Sequence, residues 1–374
     1  GVRVVVPTRR RSRSGHLLLL PTVEVVEMDV FDRDALGTLV DGADAVVNLV
    51  GVLHSRPGSP WGADFQRAHV DLPRALVTAC TLAGVARLVH ISALGADAHA
   101  PSEYQRSKAA GEDAIRTAAA AWTILRPSVI FGRGDSFLNL FADLARVFPV
   151  LPLAGAGTRF QPVWVEDVAD VVWRCLCERD AHGQVFELAG PQAYTLRELV
   201  EYVSELVGKP RPIIPLPEGL AMLQARLMEL APTPLMSRDN VRSMRVDNVA
   251  SGAPLPFAMQ PTALEAVAPG WLGQAALRSH YYPFRDHARR ARAIGCKPRQ
   301  ALADRVCHRH MRHAARTKKA LLTRKRAIHV LVHDHECARR QLLAQRTAGG
   351  EGEHIGNPGA FQRVDIGAVI DGAG

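Results

Sequence analysis

Apolar and polar positions along the first half of the chain alternate between two periods. Val2–Pro7 and Ala45–Val50 are unbroken apolar runs, and Val23–Asp29, Ala86–Ser92 and Trp122–Leu125 are further short segments rich in β-branched and apolar residues. Between them, Asp34–Val40, Asp64–Ala83 and Ser102–Ala119 repeat apolar residues at three- and four-residue spacing, the period of a helix that buries one face. Strands alternating with helices in units this short predict an α/β fold, a parallel sheet doubly wound with right-handed crossovers. Such sheets bind ligands beyond the carboxyl ends of their strands. The pattern continues with a strand at Val163–Val165, an acidic helix start at Glu166–Asp167 and a helix over Val168–Cys177. A strand at Gln184–Gly190 follows, then helices over Thr195–Gly208 and Glu218–Leu230, with Met222, Met228 and Met236 in or beside the last.

Composition narrows the class of protein. The 374 residues are 47% apolar, long enough for two domains, yet no window of about 18 apolar residues occurs. Leu17–Leu20 is far too short to span a bilayer, and six cysteines in so long a chain suggest no disulfide framework. A cytoplasmic protein is expected. The net charge of +9 points towards nucleic acid until it is placed: residues 1–290 hold 30 Lys+Arg against 30 Asp+Glu, and residues 291–374 hold 16 against 7. The excess belongs to the tail, so it implies no phosphate-binding face on the folded part.

Candidate chemistry concentrates in SEYQRSKAAGE, residues 102–112. Tyr104 and Lys108 stand four apart and share a helix face, and Ser102 with Gln105 has capping-box spacing. Upstream, Ser92 closes a strand and places a hydroxyl at the sheet's carboxyl edge. A tyrosine with its usual pKa near ~10 moves protons poorly at neutral pH, and a neighbouring ammonium lowers that value. Ser92, Tyr104 and Lys108 thus make a candidate acid–base group: Ser92 holds a carbonyl or alcohol beside Tyr104 while a nicotinamide exchanges hydride.

The ordered motifs VVVPTRRR, VVEMDVFD, DAVVNLVGVLH, RLVHISALGAD, YQRSK, WTILRPSVIFGRGDSFLN, RFQPVWVEDVAD and FELAGP, with LMSRDNVRSM and TALEAVAPGWLG, carry a resemblance. Over roughly residues 2–273 the chain resembles the atypical short-chain dehydrogenase/reductases of NAD-dependent epimerase/dehydratase type. More narrowly, it is similar to bacterial relatives of the nucleotide-binding accessory subunit of respiratory complex I. The resemblance implies a dinucleotide site. Thr8, Arg9 and Arg10 fall where the adenosine ribose is met, with no acid before Glu24, which implies NADP(H) in preference to NAD(H). Asp29 and Val30 match the adenine-contacting pair. Asn48, Leu49, Val50 and Gly51 match the loop over ribose and phosphates, and Pro127, Ser128 and Val129 match the segment along the nicotinamide.

The glycine-rich turn that opens such a domain is absent before Arg9, which reads as the loss of the first βα unit. In the strand order 3-2-1-4-5-6 the lost strand would lie mid-sheet, between Val2–Pro7 and Ala45–Val50. The expected organisation is a dinucleotide-binding domain at residues 1–175 and a small, mostly helical substrate-side lobe at 176–273. Arg159 and Tyr194 stand where a substrate could be met. A tail follows at 274–374, basic and rich in His and Arg from 291 and expected to be disordered. Its His/Cys clusters lack paired metal spacing, so no metal site is assigned. Three functions follow. The chain is an accessory or assembly factor for complex I or ubiquinone biosynthesis, cytoplasmic or peripheral at the inner face of the membrane. Alternatively, it is a working NADP-dependent reductase, dehydrogenase or epimerase. Through its tail alone, it could bind nucleic acid.

Overall fold

The computed structural model describes residues 2–231, 234–273 and 327–331. Seven strands, all parallel, make the main sheet: β1 (Arg3–Thr8), β2 (Val23–Glu27), β3 (Ala45–Asn48), β4 (Arg87–Ile91), β5 (Ala121–Pro127), β6 (Gln184–Leu188) and β7 (Ala327–Leu331). Their order across the sheet is β6-β5-β4-β3-β7-β1-β2. With β7 set aside, this is the doubly wound order that the alternating pattern predicts.

The position left open between Val2–Pro7 and Ala45–Val50 is filled by the tail. Val4 pairs with Ile328, and Val46 pairs with His329, so Ala327–Leu331 bonds to both neighbours. This corrects the expectation of a wholly disordered tail. Two facing strand edges in the middle of a sheet would bury unpaired N–H and C=O groups, and a short β-branched, apolar run satisfies them. The other tail residues lie outside the described ones.

Alternation along the strands divides the core into two layers. Val4, Val6, Val47, Val89 and Leu125 face a helix, α4 (Val165–Cys177), through Val168, Val172 and Cys175. Val5, Val46, Leu88 and Ile124 face the opposite layer, where α1 (Arg33–Val40), α2 (Leu72–Leu82) and α3 (Glu103–Arg116) contribute Leu36, Leu76 and Ile115. Asp32 caps α1 by accepting from the amides of Asp34 and Ala35. The segment read as one helix over Asp64–Ala83 contains a π-helical turn, Gln66–Asp71, just ahead of α2.

A third cluster joins Phe131, Leu138, Leu151 and Phe160 to Leu199 and Val203 of α5 (Leu196–Leu206) and to Leu264. Thr195 and Glu198 close a full capping box at the start of α5. Two further helices, α6 (Glu218–Met228) and α7 (Arg238–Ser243), pack on Ala154 through Ala221, Ala225 and Val241. Among the described residues, no helix is long and apolar enough to cross a membrane.

Candidate functional site

Because the strands are parallel, their carboxyl ends share one edge, and the candidate residues collect there. Thr8 ends β1, Asp29 and Val30 follow β2, Asn48 ends β3, Ser92 follows β4, and Pro127 closes β5 just before Ser128. Helix α3 starts beside that edge. Ser102 accepts from the Gln105 amide at 3.1 Å, and the next orphan donors are taken from a distance in sequence. Asp239 of α7 accepts from the amides of Glu103 at 2.7 Å and Tyr104 at 2.9 Å. A carboxylate at a helix N-terminus is favoured both by the open N–H groups and by the dipole. Nothing in the sequence near Tyr104 announces this residue.

Tyr104 and Lys108 are brought together as the four-residue spacing predicts. The Lys108 ammonium stands 5.9 Å from the centroid of the Tyr104 ring and donates to the Ile91 carbonyl at 3.2 Å. A Cβ on Gly51 would lie 3.1 Å from Lys108 Nζ, so the loop after β3 approaches the ammonium closely because it carries glycine there. Around them the π-helical turn supplies His69, stacked on Phe65 and edge-on to Tyr104 at 5.5 Å between ring centroids. The Val52 amide donates to His69 Nε2 at 3.0 Å, and Nδ1 lies 2.8 Å from the Ser107 hydroxyl, which donates to the Tyr104 carbonyl. That pattern assigns the proton of a neutral ring to Nδ1.

Ser92 is not brought into this group. Its hydroxyl donates to Glu112 Oε1 at 2.6 Å, inside a buried cluster in which Arg126 binds both carboxylate oxygens at 2.7 Å and Arg116 adds a third contact at 2.8 Å. Among the described residues, Ser92 makes no hydrogen bond to Tyr104. Electrostatics also departs from the sequence reading. Burial pushes the Tyr104 phenol up to about 12, against the expected lowering by Lys108. Burial pushes Lys108 down to about 8, opposed by the Glu112 charge. Desolvation of the ion outweighs the pairwise attraction on which the expectation rested.

The lowered Lys108 makes stability depend on pH in a defined direction. Between pH about 8 and its ordinary value of 10.5, the folded protein has released a proton that the unfolded chain still holds, so unfolding free energy rises with pH. Above pH 10.0 the Tyr104 phenol, held protonated to about 12, works the other way. In urea unfolding at about pH 7.5 and about pH 9.5, wild type should gain on Lys108→Met between the two conditions. A difference that stays flat would contradict the buried ammonium.

Where the sequence predicts the adenosine end, Arg9 and Arg10 are exposed and Thr8 is buried, its hydroxyl accepting from the Arg10 amide at 3.3 Å. Asp29 is not free to act alone: Arg67 pairs with it at 3.2 Å and lies over the Phe31 ring at 4.1 Å. Val30 is buried beneath. Arg67 sits in the π-helical turn and gives no cofactor signal in sequence. Asn48 is fully buried; its amide donates to His90 Nδ1 at 3.0 Å and its oxygen accepts from the Val50 amide at 3.1 Å, which sets the path of Leu49, Val50 and Gly51. His90 Nε2 has no partner among the described residues, and burial, then Lys108, pushes its pKa down to about 3. Where the sequence predicts the nicotinamide end, Ser128 donates to Asn248 Oδ1 at 2.5 Å, and Asn248 also reaches the Leu94 carbonyl at 3.4 Å. Asn248 thus ties the lobe to the strand ends beside Pro127 and Val129. Tyr194 is committed to Glu265 at 2.6 Å. Among the described residues, no His/Cys/Asp/Glu group could hold a metal ion.

The chemistry of the residues present fits a dinucleotide: exposed guanidinium groups at the end of β1 suit an anion, and the loop after β3 is held close to Lys108 at Gly51. After β7 the sequence runs Val332–Cys337 with two acids and no glycine, unlike the glycine-rich turn that follows the first strand in the expected fold.

Comparison with known proteins agrees with this geometry. A family described as NAD(P)H-binding matches residues 1–141. The NADH dehydrogenase [ubiquinone] 1 alpha subcomplex subunit 9, mitochondrial, of Mus musculus is 35% identical over 260 residues, which is 67% of either chain. The chain belongs to the subunit 9 family. The Rattus norvegicus protein of the same name is also 35% identical, over 64% of either chain, so the chain spans about two thirds of these relatives. Ceramide reductase of Caulobacter vibrioides is 36% identical over 200 residues, 52% of this chain and 60% of that one. Among solved structures, the dTDP-glucose 4,6-dehydratase DesIV of Streptomyces venezuelae, with NAD bound, superposes with a TM-score of 0.55 at 17% identity, over 72% of this chain and 86% of that one. It shares the fold, a Rossmann-type parallel sheet.

Proposed function

We propose that this member of the subunit 9 family binds NADP(H) as a structural group and serves as an accessory or assembly factor for respiratory complex I or ubiquinone biosynthesis, cytoplasmic and peripheral at the inner face of the membrane. The observation that carries this reading is the commitment of Ser92 to Glu112, which leaves Tyr104 without a hydroxyl partner among the described residues. The preference for NADP(H) rests on Arg9 and Arg10, exposed at the end of β1, while Arg67 neutralises Asp29. Paired guanidinium groups recognise a 2′-phosphate by charge-assisted hydrogen bonds. Thr8, Val30 and the 48–51 loop would hold the adenosine half, and Pro127, Ser128 and Val129 the nicotinamide half. When bound, the group can supply hydride transfer.

A second reading, a working NADP-dependent reductase, dehydrogenase or epimerase, is favoured by one observation: the Lys108 ammonium stands 5.9 Å from the Tyr104 ring centroid, on the same helix and near enough to favour a phenolate by its charge. Two measurements separate the readings. NADPH should bind the full chain about tenfold tighter than NADH, and Arg9→Glu/Arg10→Glu should abolish that preference. In a strain lacking the gene, Tyr104→Phe should restore respiratory-complex assembly as well as wild type does. Loss of complementation by Tyr104→Phe, with NADPH binding intact, would transfer the function to the enzymatic reading.

A further inference from the structure

Helix α6 is built the wrong way round for a helix on a globular surface. Its inward face is small: Ala221 and Ala225, 1% and 0% exposed, pack against Ala154 and Val241. Its outward face is large and apolar: Leu220, Leu223 and Leu227 are 55%, 54% and 62% exposed, and Leu230 just past its end is 82% exposed. An ordinary surface helix turns its leucines to the core and its charges to water. At 100° per residue these four leucines fall within an arc of about 80° and form a stripe roughly 15 Å long.

The charge around the stripe is equally uneven. Glu218 is paired with Arg245, and Glu229 with Arg238 at 2.9 Å, so the two acids of the helix region are neutralised from outside it. Arg226 is exposed beside the stripe. Residues 209–246 hold six Lys/Arg against three Asp/Glu, a surplus of three, whereas the rest of residues 1–290 holds 24 against 27; Glu103 meets one of the six, Arg242, at 3.7 Å.

We infer that α6 is a membrane-contact element that seats its leucine stripe in the headgroup–acyl boundary of an anionic lipid surface. Leucine on one face with arginine at its edge is the composition of a helix lying in that boundary. The core of a protein interface selects Tyr, Trp and Arg, and its hot spots are poor in leucine; the stripe has no aromatic ring and no hydrogen-bonding group. The surplus positive charge matches an anionic leaflet. This inference deepens the membrane-side part of the reading above and is independent of the cofactor.

Co-sedimentation of the full chain with vesicles tests it. Wild type should bind vesicles of equimolar phosphatidylcholine and phosphatidylglycerol at least tenfold more tightly than phosphatidylcholine alone. Leu223→Gln/Leu227→Gln should weaken binding by roughly tenfold for each leucine removed, and Arg226→Gln by a few-fold. Because these side chains face water, the variants should keep wild-type circular dichroism and NADPH binding. Absence of vesicle binding by wild type, or equal binding by the leucine variant, overturns the inference. So does a wild-type dimer that the leucine variant converts to monomer without vesicle binding, which would assign the stripe to a second copy. Failure of NADPH binding with vesicle binding intact would remove the cofactor reading and leave this one standing.

Discussion

Glu112→Gln should lower the free energy of unfolding by about 3 kcal/mol, the effect of removing the buried anion that two arginines share. Glu112 is fully buried, and its carboxylate receives Arg126 through two hydrogen bonds, Arg116 through one and Ser92 through one. The cluster ties α3 to β5 and to the end of β4. An amide keeps the shape and one acceptor, but presents a donor to Arg126 and removes the charge facing two guanidinium groups. Ser92→Ala removes a single neutral donor and should cost about 1 kcal/mol. Urea unfolding of the two variants gives the ratio directly. Equal effects would mean that the buried Glu112 charge adds nothing through the two arginines, and the assignment of Ser92 to a structural cluster would lose its basis.

Gly111→Ala should destabilise the fold by about 2 kcal/mol or more, the reverse of what helix propensity predicts. In an exposed helix interior, alanine in place of glycine is favourable by about 1 kcal/mol. Here a Cβ at residue 111 would stand 2.1 Å from the carbonyl oxygen of His69, where α3 crosses the π-helical turn. Backbone cannot step aside as a flexible side chain can, so the two segments must separate and overpacking strain follows. The separation would act on His69, whose ring sits edge-on to Tyr104. A shifted melting temperature with an altered Tyr104 environment in ultraviolet absorbance is the expected pair of changes. A variant as stable as wild type would mean that the helix crossing is looser than described.

Legibility differed between fold and site. The runs Val2–Pro7, Ala45–Val50 and Ala86–Ser92 each became a parallel strand within a residue or two, because burial on both faces demands unbroken apolar sequence. The Tyr104/Lys108 pair was equally legible, since four residues on a helix make a local geometry. Ser92 was not: its place at a strand end could be read, but the direction of its hydroxyl depends on Glu112 and Arg126, which come from two other elements. Asp239, Asn248 and Arg67 escaped for the same reason. Each acts across a long stretch of chain, and each would pass in sequence as an ordinary surface residue.

By itself, the amino-acid sequence determined the alternating strands and helices, their parallel winding and the edge at which the candidate residues gather. Those properties follow from the period of apolar residues and from chain connectivity, both local. Only the tertiary structure decided which polar groups face each other: that Ser92 serves a buried carboxylate, that burial outweighs Lys108 in setting the Tyr104 proton, and that Ala327–Leu331 enters the middle of the sheet. It also decided that α6 turns alanine inward and leucine outward. These outcomes depend on desolvation and on the pairing of distant groups, whose free energies are set by what surrounds a residue in space rather than by what precedes it in the chain.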